Sequence, residues 1–341
     1  MNEETFITTH TELPPCCVRI HPSDNSIIFL GTYKLEDNGK RHGSVDIYRY
    51  QDSELTLLNR YGTPSSILDI KIDPFDDSNI ITAHSEGNII HWKYNSQENS
   101  LEVVSDLVVV EKDNLITSVH YSPIKQGSIL VTSTSLPLVI YDLNKQTYNT
   151  LDTSHDLECW TGNFGELGEL SNVVYTGGDD SKLIAHDLRT QGPIWSTGTR
   201  HHEAGVVSIL SPTKNWNTRN SHHLWTGSYD DKLRILDLRV IDKDAPSLIP
   251  GYIPKVIHEE NLGGGVWRLI PSPNSNDDRV MSCCMYDGAR IIDVDGEEKF
   301  QVVKRFKGQH ESMCYGADWA ANDNFIVSCS FYDHVVHLWE P

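Results

Sequence analysis

Four short loops in the second half of the chain place imidazole, carboxylate or glycine beside large apolar residues. They read HDLEC, HHEAG, LGGGV and HESMC, and three lead directly into an aromatic residue, namely Trp160, Trp267 and Tyr315. Their polar side chains are Asp156, Glu158, Glu203, Glu311, His155, His201, His202 and His310. Aromatic faces beside carboxylates attract cations without a hydrogen bond. This combination therefore favours a quaternary ammonium ligand.

Two structural interpretations compete with ligand binding. Trp160 and Trp267 equally suit the filling of a central channel, and this alternative stays open. Three aspartates also stand six residues before a repeated strand anchor, where an Asp can bond one of the loop histidines: Asp180, Asp230 and Asp333. A buried Asp–His network of this kind holds strand turns together, so the histidines have a structural as well as a chemical interpretation.

The glycines of LGGGVWRL, Gly263 to Gly265, suggest a phosphate-binding loop when they are considered alone. A phosphate loop needs a following helix and a Lys-Ser/Thr pair, and here a strand-like run follows instead. No G-x-S-x-G nucleophile turn is present either. We interpret the glycines as the entry to an inner strand, where the missing side chains keep a channel mouth open and backbone N–H groups accessible.

The 16 histidines do not predict a metal site. The pairs His201/His202 and His222/His223 are adjacent, and neighbouring residues of a strand point to opposite faces. No Cys-x-x-Cys completes a zinc ligand set. We therefore predict neither a metal nor another cofactor.

The elements that must hold these residues are short strands repeated seven times. One strand ending recurs as GSVDIYR, GNIIHWK, LPLVIYD, SKLIAHD, DKLRILD, GARIIDV and DHVVHLW. Its anchors are 44 to 56 residues apart by subtraction of their numbers: Tyr48, Trp92, Tyr141, His186, Leu236, Ile292 and Trp339. This period is slightly above the ~40–45 residues of a four-stranded propeller blade. We predict an all-β, seven-bladed WD-repeat β-propeller that spans residues 1–341.

The approximate blades are 13–51, 65–95, 115–145, 155–190, 201–240, 262–296 and 310–341. The last unit ends after its third strand, so we predict that the segment Thr5 to Thr11 supplies the fourth strand and closes the ring. Alignment on the Pro-containing turns, or on Phe164 and Trp319 in blades four and seven, which lack the Pro, places one residue of each inner strand at a common level of the channel: Cys16, Leu68, Thr117, Trp160, Val206, Trp267 and Tyr315.

Composition limits the classes of partner. The formal charge is -20, from 28 Lys and Arg against 48 Asp and Glu. Such a field opposes nucleic acids and anionic membranes, and no apolar run is long enough to span a bilayer. Seven cysteines without a disulfide-like spacing indicate reduced thiols. We expect a cytoplasmic protein that makes no direct nucleic-acid contact and does not insert into membranes.

With these residues in view, the sequence resembles the WD-repeat diphthine methyl esterases of diphthamide biosynthesis. The resemblance rests on LPPCCVRI, DPFDDSNIITAHSEGNI, YTGGDDSKLIAHDLR, HHEAGVVSI, GGGVWRL and HESMCYGADW, which are distributed over the whole chain. It implies a diphthine methylesterase whose partner is translation elongation factor 2. The substrate would be a modified histidine of that factor that carries a trimethylammonium group and a methyl ester, and the enzyme would remove the ester methyl.

For that reaction we hypothesise that His202 or His310 is the base, acting on water or on Ser312. Glu203 or Glu311 would orient this base. The remaining predicted site residues are the oxyanion donors and the substrate-binding residues: the backbone N–H groups of Gly263, Gly264 and Gly265, the rings of Trp160, Trp267 and Tyr315, and the rim carboxylates Glu158 and Glu311. The alternative is a non-enzymatic WD-repeat scaffold or adaptor, for example in vesicle sorting, that binds a partner protein on the propeller rim.

Overall fold

The first strand of the chain pairs with the last, so the fold is closed by its two ends. The structure, a computed structural model, describes residues 5–135, 139–152, 155–190, 192–239, 248–275, 277–294 and 299–341. Strand β1 (Thr5–His10) lies antiparallel to the C-terminal strand, with Thr8 opposite His337. This confirms the predicted closure, and it pairs an edge that would otherwise be open to aggregation.

Blades one to three contain the following strands. Blade one has β2 (Pro15–Ile20), β3 (Ile27–Thr32), β4 (Lys34–Leu35), β5 (Arg41–Gln51) and β6 (Glu54–Thr63). Blade two has β7 (Ile67–Ile72), β8 (Asn79–His84), β9 (Asn88–Asn95) and β10 (Ser100–Val108). Blade three has β11 (Ile116–Tyr121), β12 (Ser128–Ser133), β13 (Val139–Asp142) and β14 (Thr147–Thr150).

Blades four to seven continue the same order. Blade four has β15 (Cys159–Phe164), β16 (Val173–Gly178), β17 (Leu183–Asp187) and β18 (Pro193–Ser196). Blade five has β19 (Val206–Leu210), β20 (His223–Ser228), β21 (Lys232–Asp237) and β22 (Lys255–Asn261). Blade six has β23 (Arg268–Pro271), β24 (Val280–Cys283), β25 (Ala289–Val294) and β26 (Phe300–Phe306). Blade seven has β27 (Cys314–Trp319), β28 (Ile326–Ser330) and β29 (Val335–Trp339), and β1 completes it.

The second strand of each blade is enclosed by the neighbouring blades. Strands β3 (IIFLGT) and β12 (SILVTS) are buried along their whole length, whereas the outer strand β10 is largely exposed. The core lies between blades, as where Phe29 of blade one packs with Ile70 and Trp92 of blade two. The described residues include two short 3₁₀ helices (Gly168–Asn172 and Thr218–Asn220) and no helix long and apolar enough to cross a membrane.

The inner strands form a closed ring, because each contacts the inner strands of both neighbouring blades. Six of the seven carry a β-bulge at the same place, and a bulge redirects the extra side chain. The extra residues are Cys16, Leu68, Thr117, Trp160, Val207 and Tyr315. The predicted level is therefore correct except in blade five, where Val206 pairs with Ser228 and Val207 takes the bulge.

Candidate functional site

One end of the central channel opens into a cavity of about 630 Å³, here called the upper cavity. The bulge residues Cys16, Leu68 and Thr117 line one side of it. The rest of its wall is mostly aromatic and includes Tyr33, Trp160, Tyr229, Trp267, Tyr315, Phe331 and Tyr332. The predicted aromatic residues Trp160, Trp267 and Tyr315 thus line one open cavity.

The aromatic rings form a continuous arc. The centroid of the Trp267 ring lies 6.1 Å from that of Trp160, 5.8 Å from that of Tyr229 and 5.1 Å from that of Tyr315. Tyr315 continues the arc to Phe331 at 5.5 Å. Asp179 accepts a hydrogen bond from the indole N–H of Trp160 at 3.1 Å, which fixes that ring. Burial raises the pKa of Tyr315 to about 12, so its phenol is neutral.

Tyr229, Phe331 and His334 are cavity residues that sequence reasoning missed. All three stand in turns between the second and third strands of a blade, not in the loops that enter the inner strands. The available signal for Tyr229 was the turn SYDD of blade five, where an aromatic residue stands at the position that Asp179 occupies in the turn GDDS of blade four.

The imidazole of His334 has a defined tautomer. Its Nδ1 lies 3.1 Å from the carbonyl oxygen of Thr11, which can only accept, so Nδ1 carries the proton. Its Nε2 therefore keeps a lone pair. His334 also adopts a left-handed backbone with φ 60°, a conformation that favours glycine. Gly288 stands at the equivalent place directly before the third strand of blade six, with φ 74°.

The loop histidines belong to buried networks inside the blades. The ring of His155 donates to Asp180 at 2.9 Å, as predicted. His202 and His310 instead bond hydroxyls through Nε2, at 2.9 Å to Thr226 and 3.2 Å to Ser328.

These two rings are 0 % and 2 % exposed, and burial lowers the pKa of each to about 3. Neither His202 nor His310 lines the upper cavity, so the geometry gives them a structural role in place of the expected catalytic one.

The other expected catalytic and rim side chains also lie outside the cavity wall. The hydroxyl of Ser312 accepts the backbone N–H of Tyr332 at 3.1 Å. Glu203 is exposed and pairs with Lys232 at 3.4 Å, away from the buried ring of His202. Glu158 is half-buried and Glu311 is exposed, both on loops that enter inner strands. Their contribution is limited to the field around the channel mouth.

The three glycines do not hold the channel open, and two of them, Gly264 and Gly265, serve close packing. A Cβ on Gly264 would lie 2.2 Å from the carbonyl oxygen of Cys284, and one on Gly265 would lie 2.5 Å from Sδ of Met285. The N–H of Gly263 donates to the side chain of Asn261 at 2.8 Å. Since none of the three lines the upper cavity, their expected role as an oxyanion site lacks geometric support.

A second cavity, of about 280 Å³, lies further along the same inner strands and is here called the lower cavity. On six inner strands, a residue that lines this cavity stands three positions after the residue that lines the upper cavity. Most of these six residues are charged or form hydrogen bonds, which makes the wall polar: Arg19, Lys71, His120, Asn163, Ile270 and Asp318. Arg268 also lines it, and its Cζ lies 5.7 Å from the ring centroid of Trp267. The lining of the channel therefore changes from aromatic to charged between the consecutive residues Trp267 and Arg268.

Cysteine and metal chemistry have little support at these cavities. All seven cysteines are free, and the only one in the wall of the upper cavity is Cys16, whose pKa burial raises to about 12.

The predicted separation of His222 and His223 is wrong, because their rings contact each other at 4.7 Å and approach Asp237. His222 precedes the strand, so strand alternation does not apply to it. The guanidinium of Arg239 pairs with Asp237 at 2.8 Å, and its charge opposes a cation there.

Fold and cavities together define the class: a seven-bladed β-propeller with a cavity lined by aromatic residues at one end of its channel. A solved structure entitled Crystal Structure of Mitotic Checkpoint Complex contains a similar chain, with a TM-score of 0.74 and 12% identity over 100% of this chain and 92% of that one. Likeness at that identity shows the WD-repeat propeller fold alone. No family model matches the sequence.

Curated relatives supply the family. A protein named diphthine methyltransferase from Saccharomyces cerevisiae is 38% identical over 96% of each chain. Its namesake from Schizosaccharomyces pombe is 30% identical over 98% of this chain and 96% of its own. A homolog from Dictyostelium discoideum is 27% identical over 100% of both. The chain belongs to the diphthine methyltransferase family.

Proposed function

We propose that the protein is a diphthine methylesterase that hydrolyses the methyl ester of methylated diphthine on translation elongation factor 2, a step of diphthamide biosynthesis. The observation that carries this proposal is the aromatic arc around Trp267 in a chain whose relatives are named for diphthine. The relatives' printed name specifies methyl transfer. In the reaction proposed here the methyl group leaves as methanol.

The arc suits a trimethylammonium group for a simple reason. A quaternary ammonium has no N–H, so it cannot be recognised by hydrogen-bond acceptors and is bound by the electron-rich faces of aromatic rings. The net charge of -20 adds long-range attraction toward a cationic side chain. The cavity volume of about 630 Å³ is sufficient for a single modified histidine side chain.

Hydrolysis then needs an activated water beside the ester. The water oxygen adds to the carbonyl carbon while its proton passes to a base, and the carbonyl electrons move to oxygen. The tetrahedral intermediate collapses, the bond from the carbonyl carbon to the methoxy oxygen breaks, and the base returns the proton to that oxygen. Methanol and a carboxylic acid are the products.

His334 is the base that we assign to this step, in place of His202 or His310. It lines the upper cavity, and its bond to Thr11 leaves Nε2 free to take a proton. Lys34 lines the same cavity and supplies a positive charge for the developing oxyanion.

The competing function is the scaffold role that many propellers perform, with the rim binding a partner protein. Methanol release separates the two. Purified protein is mixed with elongation factor carrying methylated diphthine, without any methyl donor, and methanol is measured over time. The proposal predicts catalytic release, whereas binding of the factor without methanol above the protein-free control would favour the scaffold.

A further inference from the structure

The lower cavity contains more positive than negative groups within a strongly acidic protein. Arg19, Lys71 and Arg268 contribute three cations, and the carboxylates of Asp69 and Asp318 contribute two anions, which leaves a formal charge of +1. Asp69 is 1 % exposed and accepts both of its 2.7 Å bonds from Lys71. Among the described residues, Asp318 is then the one carboxylate left at this cavity for two cations, and it pairs with Arg19 at 3.6 Å.

Arg268 is the cation of this cavity whose hydrogen-bond donors are not used by described residues. Its side chain is only 12% exposed, yet no described residue accepts a hydrogen bond from its guanidinium. Its one ion pair, with Asp69, spans 3.5 Å. Two other buried arginines behave differently: Arg234 makes two bonds to Asp230 at 2.8 and 2.9 Å, and Arg290 bonds two carbonyl oxygens. Each of those arginines uses at least two donors on protein oxygens, whereas no such bond is formed by Arg268 to a described residue.

We propose that the lower cavity is a binding site for a small carboxylate, held by the Arg268 guanidinium with Lys71 and Arg19 beside it. A planar carboxylate matches the two parallel donors of an arginine. The formal charge of +1 fits a monoanion, and a volume of about 280 Å³ limits the ligand to a small group. This inference does not depend on the proposed hydrolysis.

The site also couples anion binding to a proton. Burial lowers the pKa of Lys71 to about 7 against the attraction of Asp69. The other titratable groups that face Lys71 do not oppose this coupling. Arg19 and Arg268 stay charged, burial lowers the pKa of His120 well below its usual range, and burial raises the pKa of Asp318. A bound anion stabilises the Lys71 ammonium, so carboxylate affinity is expected to fall as pH rises through about 7.

The test uses acetate as the probe, titrated into the full-length protein in a calorimeter at constant ionic strength. We expect binding to the wild type and at least about a tenfold loss in Arg268→Gln, since charge-assisted bonds are removed. Arg279→Gln is the matched control, because that guanidinium also lies over a tryptophan and pairs with an aspartate, but outside the lower cavity. If Arg268→Gln does not fold, Arg268→Lys retains the charge without the bidentate geometry and should weaken binding.

Equal acetate binding by the wild type and the Arg268 variants would overturn the proposal, as would no binding to the wild type. Tighter binding of inorganic phosphate than of acetate would also overturn it. Trimethylglycine, which joins a quaternary ammonium to a carboxylate, identifies the source of the carboxylate. If the protein binds trimethylglycine much more tightly than acetate, the site is assigned to the carboxylate of the reaction product. Equal affinity for the two compounds assigns it to a separate small acid. Neither readout requires turnover, so failure here is distinct from failure of the proposed hydrolysis.

Discussion

Three hydrogen bonds join His334 and Thr11, one of them from the Thr11 hydroxyl to the carbonyl oxygen of His334 at 3.4 Å. The Nδ1–H of His334 donates to the carbonyl oxygen of Thr11 at 3.1 Å, and the N–H of Thr11 donates to the carbonyl oxygen of His334 at 2.9 Å. Thr11 directly follows the strand that closes the propeller. Closure of the ring therefore also positions the imidazole assigned as the base, and it fixes the tautomer that leaves Nε2 unprotonated.

Deletion of residues 1–11 should remove both the strand that closes the propeller and the hydrogen bonds that position His334. The last blade loses a strand, β29 becomes an open edge, and His334 loses its hydrogen-bond partner. We expect a lower thermal midpoint, self-association on size-exclusion chromatography and methanol release reduced to background. Thr8→Val, which removes only the 3.0 Å side-chain bond to His337, is the control and should retain activity. A deletion variant that remained monomeric and fully active would refute this coupling.

Replacement of His334 tests the assigned base. His334→Gly removes the imidazole and suits the left-handed backbone, so the fold should be kept. We expect kcat to fall by about 10²–10⁴-fold, the usual contribution of a general base, with little change in the affinity for the methylated factor. Ser181→Gly makes the same change at another left-handed turn position and should leave kcat unaltered. Wild-type kcat in His334→Gly would show that another group takes the proton.

The aromatic arc predicts a binding defect when Trp267 loses its π face. Trp267→Leu should raise KM by about 2- to 30-fold, the range of one cation–π contact, while Trp267→Phe should retain most of the affinity. Tyr148→Leu, an exposed aromatic residue on the outer strand of blade three, is the control. Steady-state methanol release gives both constants. A KM for Trp267→Leu equal to that of the wild type would remove Trp267 from the site.

His202 and His310 should govern stability and its dependence on pH. Burial lowers both pKa values to about 3 in the folded state, against about 6.5 in an unfolded chain. Between these values the unfolded state binds more protons, so stability falls as pH decreases from about 6.5 toward 3. His202→Gln removes one such group, so it should destabilise the protein at pH 7 but narrow the gap to the wild type at lower pH. Thermal unfolding at several pH values measures this.

The same variants decide between the two assignments of the base. Folded His202→Gln and His310→Gln are expected to retain turnover below their melting temperatures, because both rings lie outside the cavity wall. Loss of methanol release from a fully folded variant would restore the assignment made from sequence.

The sequence was sufficient for the architecture because the propeller repeats. Seven copies of one strand ending defined the blades, and a missing fourth strand pointed to the segment at Thr5. The same repeat located Trp160, Trp267 and Tyr315 at one level of the channel, although only blade six of these three has the Pro-containing turn and the other two were aligned on Phe164 and Trp319. Blade five was misplaced by one residue, because sequence alignment cannot show which residue takes the bulge.

The chemistry of the site was harder to predict. Tyr229 and His334 stand in hairpin turns, and only the three-dimensional closure brings those turns to the cavity. His202 was expected to be a base at the channel rim, oriented by Glu203 or Glu311, but its ring turns into the blade and bonds Thr226. Burial and hydrogen bonding, which decide between these roles, depend on contacts far apart in the chain.

The most direct test of the central claim is the fate of the ester in water enriched in the heavy oxygen isotope. The modified peptide of the elongation factor is analysed by mass spectrometry after incubation with the protein, with and without S-adenosylmethionine. Attack at the carbonyl carbon predicts that the peptide loses one methyl group, keeps its trimethylammonium and gains one heavy oxygen in the new carboxylate, whether or not the methyl donor is present. An unchanged ester, or a peptide that gains a methyl group only with S-adenosylmethionine, would contradict the account.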